Sequence, residues 1–413
     1  MASNTLLTPA MITREALRIL HNNLVFVKGV NRQYSAEFAK AGAKVGSTIN
    51  IRMPNKYYIR KGAAIQVQNT AETYVPLTLS DQWGVDVSFS SAELTLTLDD
   101  FSKRILTPAM AKIASQIDLD GLALFVDIYN SVGTVGTTPG TSGGSGLLVS
   151  NTPNIYLNAG MILDHSATPR DNNRRVCLGP AAMANSVTGL SGLYNPQEII
   201  SDQYRKGLLG HALGFEFALD QNVSSHLNGT RAISGEITIQ ATWVTADGGV
   251  LKLTGGSATI AKGDVLTVAN VYMVNPENQQ NTGVLQPFVV TAAVTMSGTT
   301  SVSVSPTPKL AGTGVADGNV NRVPTASDAI VWFGATASNG PVNMAYHQDA
   351  FTLGTADLEM PKGVDFAARE TYDGVSMRIV RAYDINNDQF PCRIDVLGGW
   401  KTLRPELACR ILG

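Results

Sequence analysis

Between Asn228 and Gly340 the chain changes character, and that change constrains its architecture more than any other feature. These 113 residues carry eleven charged side chains and are rich in Val, Thr and Gly. Short alternating runs fall at Glu236–Gln240, Val265–Ala269, Val289–Thr295 and Ser301–Ser305, with turn residues between them. Alternation places every second side chain on one face, so several such runs need a sheet that closes or stacks on itself. The segments on either side mix helical and extended patterns. An all-β block bracketed by mixed segments reads as a small β-barrel or sandwich inserted into an α+β domain, with boundaries at 228 and 340.

Two helix starts share one wording. Leu7-Thr8-Pro9-Ala10-Met11 and Leu106-Thr107-Pro108-Ala109-Met110 each put Thr at the N-cap and Pro at the first helical position, where the missing N–H costs nothing. The first helix is expected to run to about Leu24. The second is expected over 107–130, because Met110, Ile113, Ala114, Ile117, Leu124 and Ile128 recur at helical spacing. Such a rod is about 35 Å long. Gly121 inside it is either a weak point or a place of close packing. Residues 46–80 switch to period two and read as a long hairpin, with Lys61-Gly62 between its arms. A Gly/Thr/Ser-rich loop is expected over 131–150, and short helices near Pro180–Ser186 and Pro196–Tyr204. A closing hairpin is expected from Ser376–Asp384 and Pro391–Leu397, turning through Ile385-Asn386-Asn387-Asp388.

Enzyme chemistry finds little support. No HExxH, Walker A or GxGxxG pattern occurs, and the five histidines never pair at ligand spacing. Gly140-Thr141-Ser142-Gly143-Gly144 matches GxSxG, but it lies in a low-complexity stretch without the strand and helix that strain such a serine outward. Asp384-Ile385-Asn386-Asn387-Asp388 begins like a calcium loop with Asp395 at the twelfth position. Gln389 stands where that loop needs Gly, and Pro391 interrupts it. Cys177, Cys392 and Cys409 are far apart and odd in number, which fits free thiols in a reducing compartment. No catalytic residue, metal site or cofactor is therefore expected. The opening residues lack a basic stretch followed by an apolar core, and no run of eighteen apolar residues occurs, so a soluble chain with no membrane partner is expected.

Charge is scarce and segregated. Only 15% of the 413 residues are charged, against about 25% in typical domains. Scarcity of this kind suggests that part of the polar surface is replaced by protein contacts. Residues 1–61 hold ten basic and two acidic residues, and residues 62–102 hold six acidic and no basic ones. If residues 50–60 are extended, Arg52, Lys56, Tyr58 and Arg60 share a face. Phosphate binding with Tyr57 or Tyr58 stacking on bases is one reading, and a solvated face is another. A third is a projecting hairpin whose basic arm (Arg52, Lys56, Tyr58, Arg60, Lys61) meets an acidic patch (Glu72, Asp81) on an adjacent subunit. The net charge of −2 argues against general nucleic-acid binding.

In order along the chain stand an N-terminal helical arm, a charged extended loop, a long helix, a mixed domain, a β-rich insertion and the mixed domain resumed. That order resembles the major capsid proteins of tailed bacteriophages, of Hong Kong-97-type fold, and more narrowly the podovirus coat proteins that carry an inserted β-barrel. The segments that carry the resemblance are Gly46-Ser47-Thr48 through Arg52-Met53-Pro54, the run FSKRILTPAMAKIASQIDLD at 101–120, and Tyr204-Arg205-Lys206-Gly207 through Gly214-Phe215. Ala350-Phe351-Thr352-Leu353 and Arg393-Ile394-Asp395-Val396-Leu397-Gly398-Gly399-Trp400-Lys401 complete them.

The resemblance implies an N-terminal arm (1–45), an extended loop (46–80), a peripheral domain with a spine helix at 107–130 (81–150) and an axial domain (151–227 and 341–413). The inserted barrel occupies 228–340. It further implies self-assembly into hexamers and pentamers of an icosahedral shell enclosing double-stranded DNA. Scaffolding and portal proteins would be partners, and assembly would take place in the host bacterial cytoplasm. An encapsulin-type nanocompartment shell is the alternative; its chains are typically shorter and lack a β insertion.

Overall fold

The computed structural model describes residues 9–34, 46–60, 62–68, 70, 72–90, 105–139, 154–190, 209–231, 237–312, 315–385 and 389–413. The chain divides into two compact units. The first takes residues 1–52, 74–121 and 351–403, and the second takes 53–73, 122–350 and 404–413. The expected short helix at Pro196–Tyr204, Ser142 and Lys61 lie outside the described residues.

Among the described residues the first unit combines two helices and a two-stranded ladder with a five-stranded antiparallel sheet. Its central strand, Gln389–Thr402, pairs with Asp81–Ser90, Val375–Arg381 and Phe351–Ala356, and Phe366–Tyr372 continues the sheet beside Val375–Arg381. The closing hairpin is thus present with shifted limits: its first strand stops at Arg381, and its second runs five residues past Leu397. The extension is possible because Gly399 has no side chain; a Cβ there would stand 2.0 Å from the Thr78 carbonyl oxygen. Helix α1 spans Pro9–Asn23 and buries Ala16, Leu17, Ile19 and Leu20. Helix α2 spans Thr107–Leu122 and buries Met110, Ile113, Ala114 and Ile117 at the spacing read from the sequence. Gly121 is a close-packing point: a Cβ would lie 2.7 Å from the Trp400 ring and 2.8 Å from Phe26.

The second helix is shorter than its pattern suggests. After Leu122 the winding tightens to a 3-10 turn over Ala123–Asp127, and Ile128 is extended. Ile128, Tyr129 and Asn130 are all buried, which a helix with a single inward face does not permit, so the chain changes conformation instead.

Among the described residues the second unit holds three sheets. One runs in the order Ser131–Gly133, Ala408–Leu412, Asn339–His347, Arg174–Leu178, Phe215–Leu219 and His211–Ala212, with Ser225–Leu227 also pairing Asn339–His347. Helices α3 (Asn154–His165) and α4 (Pro180–Leu190) pack on it through Ile155, Tyr156, Ala159, Ile162, Leu163 and Met183. The first part of the stretch expected as a loop over 131–150 is a buried strand, parallel to the last strand of the chain; residues 140–150 lie outside the described ones.

The chain leaves this sheet and returns to it through one antiparallel pair, Leu227 opposite Asn339 and Ser225 opposite Pro341. Between them lies the β-rich segment, ordered Ile330–Trp332, Val265–Val274, Asn281–Val290, Thr300–Ser305, Val250–Thr254 and Thr238–Ile239, plus a ladder of Ser257–Ile260 with Val294–Ser297. Its ends meet: the Ile239 amide donates to the Asp328 carbonyl at 3.0 Å, and that of Ile330 to the Ile237 carbonyl at 3.3 Å. Inside it Leu251, Leu253, Leu266, Val268, Phe288, Val290, Val302 and Ile330 form a separate apolar core. The run expected at Val289–Thr295 is two strands, broken between Val290 and Val294 where Thr291 turns to bond Ser303.

Candidate assembly interface

The base of the 46–80 hairpin belongs to the first unit. Thr48–Arg52 pairs antiparallel with Tyr74–Thr78, from Thr48 opposite Thr78 to Arg52 opposite Tyr74. The Thr48 and Thr78 hydroxyls are 2.9 Å apart, a cross-strand bond typical of a solvated sheet face. Ile51, Leu77 and Leu79 turn inward to meet Ala356, Leu397 and Leu403. Arg52 and Asp81 are exposed, and Asp81 accepts from the Ser80 hydroxyl at 2.6 Å.

The distal part, 53–73, belongs to the second unit. One ladder bond continues into it, from the Met53 amide to the Thr73 carbonyl at 2.9 Å. Beyond that the regular strand ends, and Pro54, which has no N–H to donate, follows at once. The Gln68 side chain holds the two arms together, its carbonyl accepting from the Tyr58 amide at 3.0 Å and its NH₂ donating to the Tyr58 carbonyl at 2.6 Å. Lys56, Arg60 and Glu72 are exposed, whereas Tyr58 is half-buried. The expected shared face of Arg52, Lys56, Tyr58 and Arg60 is therefore not a strand face, because the strand that would carry it stops at Arg52.

Apart from Tyr57, the apolar residues of this part are not singled out by the sequence, yet they stand out in the fold. Ile59 is 88% exposed, Ile65 and Val67 83% each, and Tyr57 60%. Single exposed apolar residues are ordinary; four on one short loop make an apolar patch. The sequence signal was present as isolated Ile and Val among the polar residues of the hairpin, hidden by the more conspicuous charges.

Much of the segregated charge is spent inside the first unit. Arg32 pairs with Asp373 at 2.6 Å, His21 with the same carboxylate at 2.9 Å, and Arg18 with Glu15 at 2.7 Å. Asp86 binds Arg393 through two bonds of 2.8 and 3.1 Å, and the guanidinium holds its carboxyl below the usual range. Three of the five histidines, His21, His226 and His347, sit against an aspartate. Among the described residues no group of three or more His, Cys, Asp or Glu is arranged to hold a metal, and all three cysteines are buried free thiols.

A protein-family model described as P22 coat protein, gene protein 5, matches residues 1–413. The chain belongs to the P22 coat protein family. It is a major capsid protein, a structural subunit that assembles with copies of itself into the shell of a bacteriophage virion. The mixture of helix and strand described above is an α+β fold. A comparison with curated proteins gives no match.

Several solved structures are similar in layout to this coat protein. One from Mycobacterium phage Che8 is 11% identical, covering 94% of this chain and 90% of that one with a TM-score of 0.45. The capsid of the cyanophage P-SCSP1u is 9% identical over 90% and 84%, with a TM-score of 0.40. The mature capsid of bacteriophage PhiM1 is 8% identical over 89% and 82%, with a TM-score of 0.37. The assignment rests on the family match, since likenesses this distant carry no argument of their own.

Proposed function

We propose that this coat protein builds an icosahedral shell of hexamers and pentamers around double-stranded DNA, with the Hong Kong-97-type layout of arm, extended loop, spine helix, axial domain and inserted β-barrel at 228–340. Scaffolding and portal proteins would assist assembly in the host bacterial cytoplasm, and the chain itself would do no catalysis. The observation that carries the reading is the distal hairpin. A single copy leaves Tyr57, Ile59, Ile65 and Val67 in water, and a neighbouring copy removes them from it. In this reading the basic arm (Arg52, Lys56, Tyr58, Arg60, Lys61) meets the acidic Glu72 and Asp81 of an adjacent copy, setting register while the apolar residues supply most of the affinity. The meeting ends of the β-rich sheet, and its entry and exit through one strand pair, support the inserted barrel.

The test is expression of the chain alone and with a scaffolding protein, imaged by negative-stain electron microscopy. Closed shells hundreds of ångströms across are expected. Discrete monomers or dimers from both preparations would overturn the reading. Shells packed with protein cargo and no DNA in infected cells would favour a nanocompartment instead.

A further inference from the structure

We propose that Arg410, in the last strand of the chain, is a positioning residue for assembly: it fixes the β-rich segment on the body of the second unit through the Gly263 carbonyl, one residue before the buried carboxylate of Asp264. The assembly part of this inference rests on the capsid reading above.

Asp264 has no solvent contact, and its oxygens accept from four residues. Oδ1 takes His226 Nε2 at 3.1 Å and Arg231 Nη1 at 3.0 Å; Oδ2 takes the amides of Gly229 at 3.2 Å and Ala261 at 3.0 Å. Arg231 lies 5.1 Å from the centre of the Trp332 ring and donates to the carbonyls of Phe333 and Gly334. Asp264 thus ties the stretch that enters the segment to the Ala261–Asp264 turn, and Arg231 carries the tie on to the stretch that leaves it.

Arg410 connects that knot to the body. Its strand, Ala408–Leu412, pairs with Asn339–His347 and Ser131–Gly133. Its guanidinium is buried, donates from Nη1 to the Gly263 carbonyl at 2.6 Å and lies 5.4 Å from the centre of the Phe125 ring. Phe125 in turn meets His226 edge-on at 5.7 Å. Burial pushes the guanidinium down to about 9, while Asp264, Asp127 and Cys409 act in the opposite direction.

The chemistry decides what this contact does. Met273 of the segment also joins the apolar cluster of the body, but apolar contact has no directional requirement and tolerates rotation. A buried cation tolerates little, because moving the Gly263 carbonyl away leaves the desolvated Arg410 Nη1 without its acceptor. A packing role alone would be filled as well by Met or Leu. The arginine adds selection of one orientation over its neighbours.

The experiment compares full-length Arg410→Met, Arg410→Lys and Asp264→Asn chains with the parent. Hydrogen exchange is read on unassembled protein, and shells are imaged separately. In Arg410→Met, amides of the segment's own core, such as Val268, Phe288 and Val302, keep their protection within a few-fold. The Asn228 and Ala337 amides, which bond Ser338 and Gly229 at the junction, exchange at least tenfold faster. Shells become heterogeneous in size, and Arg410→Lys, which keeps the charge, restores part of their uniformity. If Arg410→Met does not fold, the near-isosteric Asp264→Asn must show the same loosening confined to the junction. The proposal is overturned by unchanged junction exchange with normal shells, by protection lost equally throughout the segment's core, or by no difference between the Met and Lys variants. A parent chain that forms no shells, with the exchange pattern as expected, would count against the capsid reading and leave the positioning role standing.

Discussion

Asp118, about one turn from the C-terminal end of helix α2, holds the backbone at Val25: its Oδ2 lies 2.7 Å from the Val25 amide nitrogen, and its Oδ1 lies 3.2 Å from that of Val27. A buried carboxylate is thereby matched to two amides just beyond the end of α1, where the chain has left its helical hydrogen bonds. Asp118→Ala leaves those donors in an apolar setting and should cost about 1–3 kcal/mol per unsatisfied group. Asp118→Asn keeps one acceptor and should cost less. Urea unfolding of the unassembled chain reads both, and equal midpoints for parent and alanine variant would contradict the account.

Three residues further along α2, Gly121 sets two known effects against each other. Ala in a helix interior gains about 1 kcal/mol over Gly in propensity. Here its Cβ would stand 2.7 Å from Trp400 and 2.8 Å from Phe26, both ring carbons within a packed core. Overpacking of this kind costs about 1–3 kcal/mol, so the steric effect should win and Gly121→Ala should be net destabilising. A thermal midpoint raised by the substitution would show that the rings can move aside.

Asp328 gives the β-rich segment a dependence on pH. Burial pushes its carboxyl up, but the Arg322 guanidinium at 2.8 Å and the Thr325 amide and hydroxyl at 2.7 and 3.0 Å outweigh that, leaving it below the ordinary range. A carboxyl depressed in the folded state adds stability that is present above the unfolded value of about 4 and is lost as pH falls through the folded one. Asp328→Asn should therefore lower stability at neutral pH and flatten its decline below about pH 4. Unfolding midpoints of parent and variant that stay parallel on acidification would rule the group out.

What the sequence makes legible follows from local physics. The Thr-Pro start of α2 and the strand at Val265–Ala269 are decided within a few residues, and the fold has both elements where expected, although Val265, Leu266, Thr267 and Val268 are all buried where alternation would expose every second one. The end of α2 goes with the burial of the successive residues Ile128, Tyr129 and Asn130, which no helical spacing reveals. Ser131–Gly133 looks like the start of a Gly-rich loop, and it is a strand because Arg410–Leu412, nearly three hundred residues later, offers it a partner. The same holds for Asp264 and Arg410, 146 positions apart and unremarkable by spacing. The charges of the hairpin were visible early, whereas the exposure of Ile59, Ile65 and Val67 depends on the strand ending at Arg52.

That exposure separates folding from assembly. Ile59 and Ile65 touch little of their own chain, so replacing each by Ser removes almost no packing and should change the stability of the unassembled chain by no more than about 0.5 kcal/mol. If a neighbouring copy covers them, the same changes withdraw about 1.5–3 kcal/mol of apolar burial per side chain, repeated in every subunit of a shell. The double variant Ile59→Ser, Ile65→Ser should therefore unfold like the parent yet yield far fewer closed shells at the same protein concentration. Lys56→Ala, changing a charge of the basic arm, should slow assembly and make it less sensitive to salt while leaving the final yield nearer normal. Light scattering during assembly, followed by sedimentation of the products, distinguishes the two. Normal yield from the double variant would mean that the apolar tip faces solvent in the shell, and the subunit contact would have to be sought elsewhere on the chain.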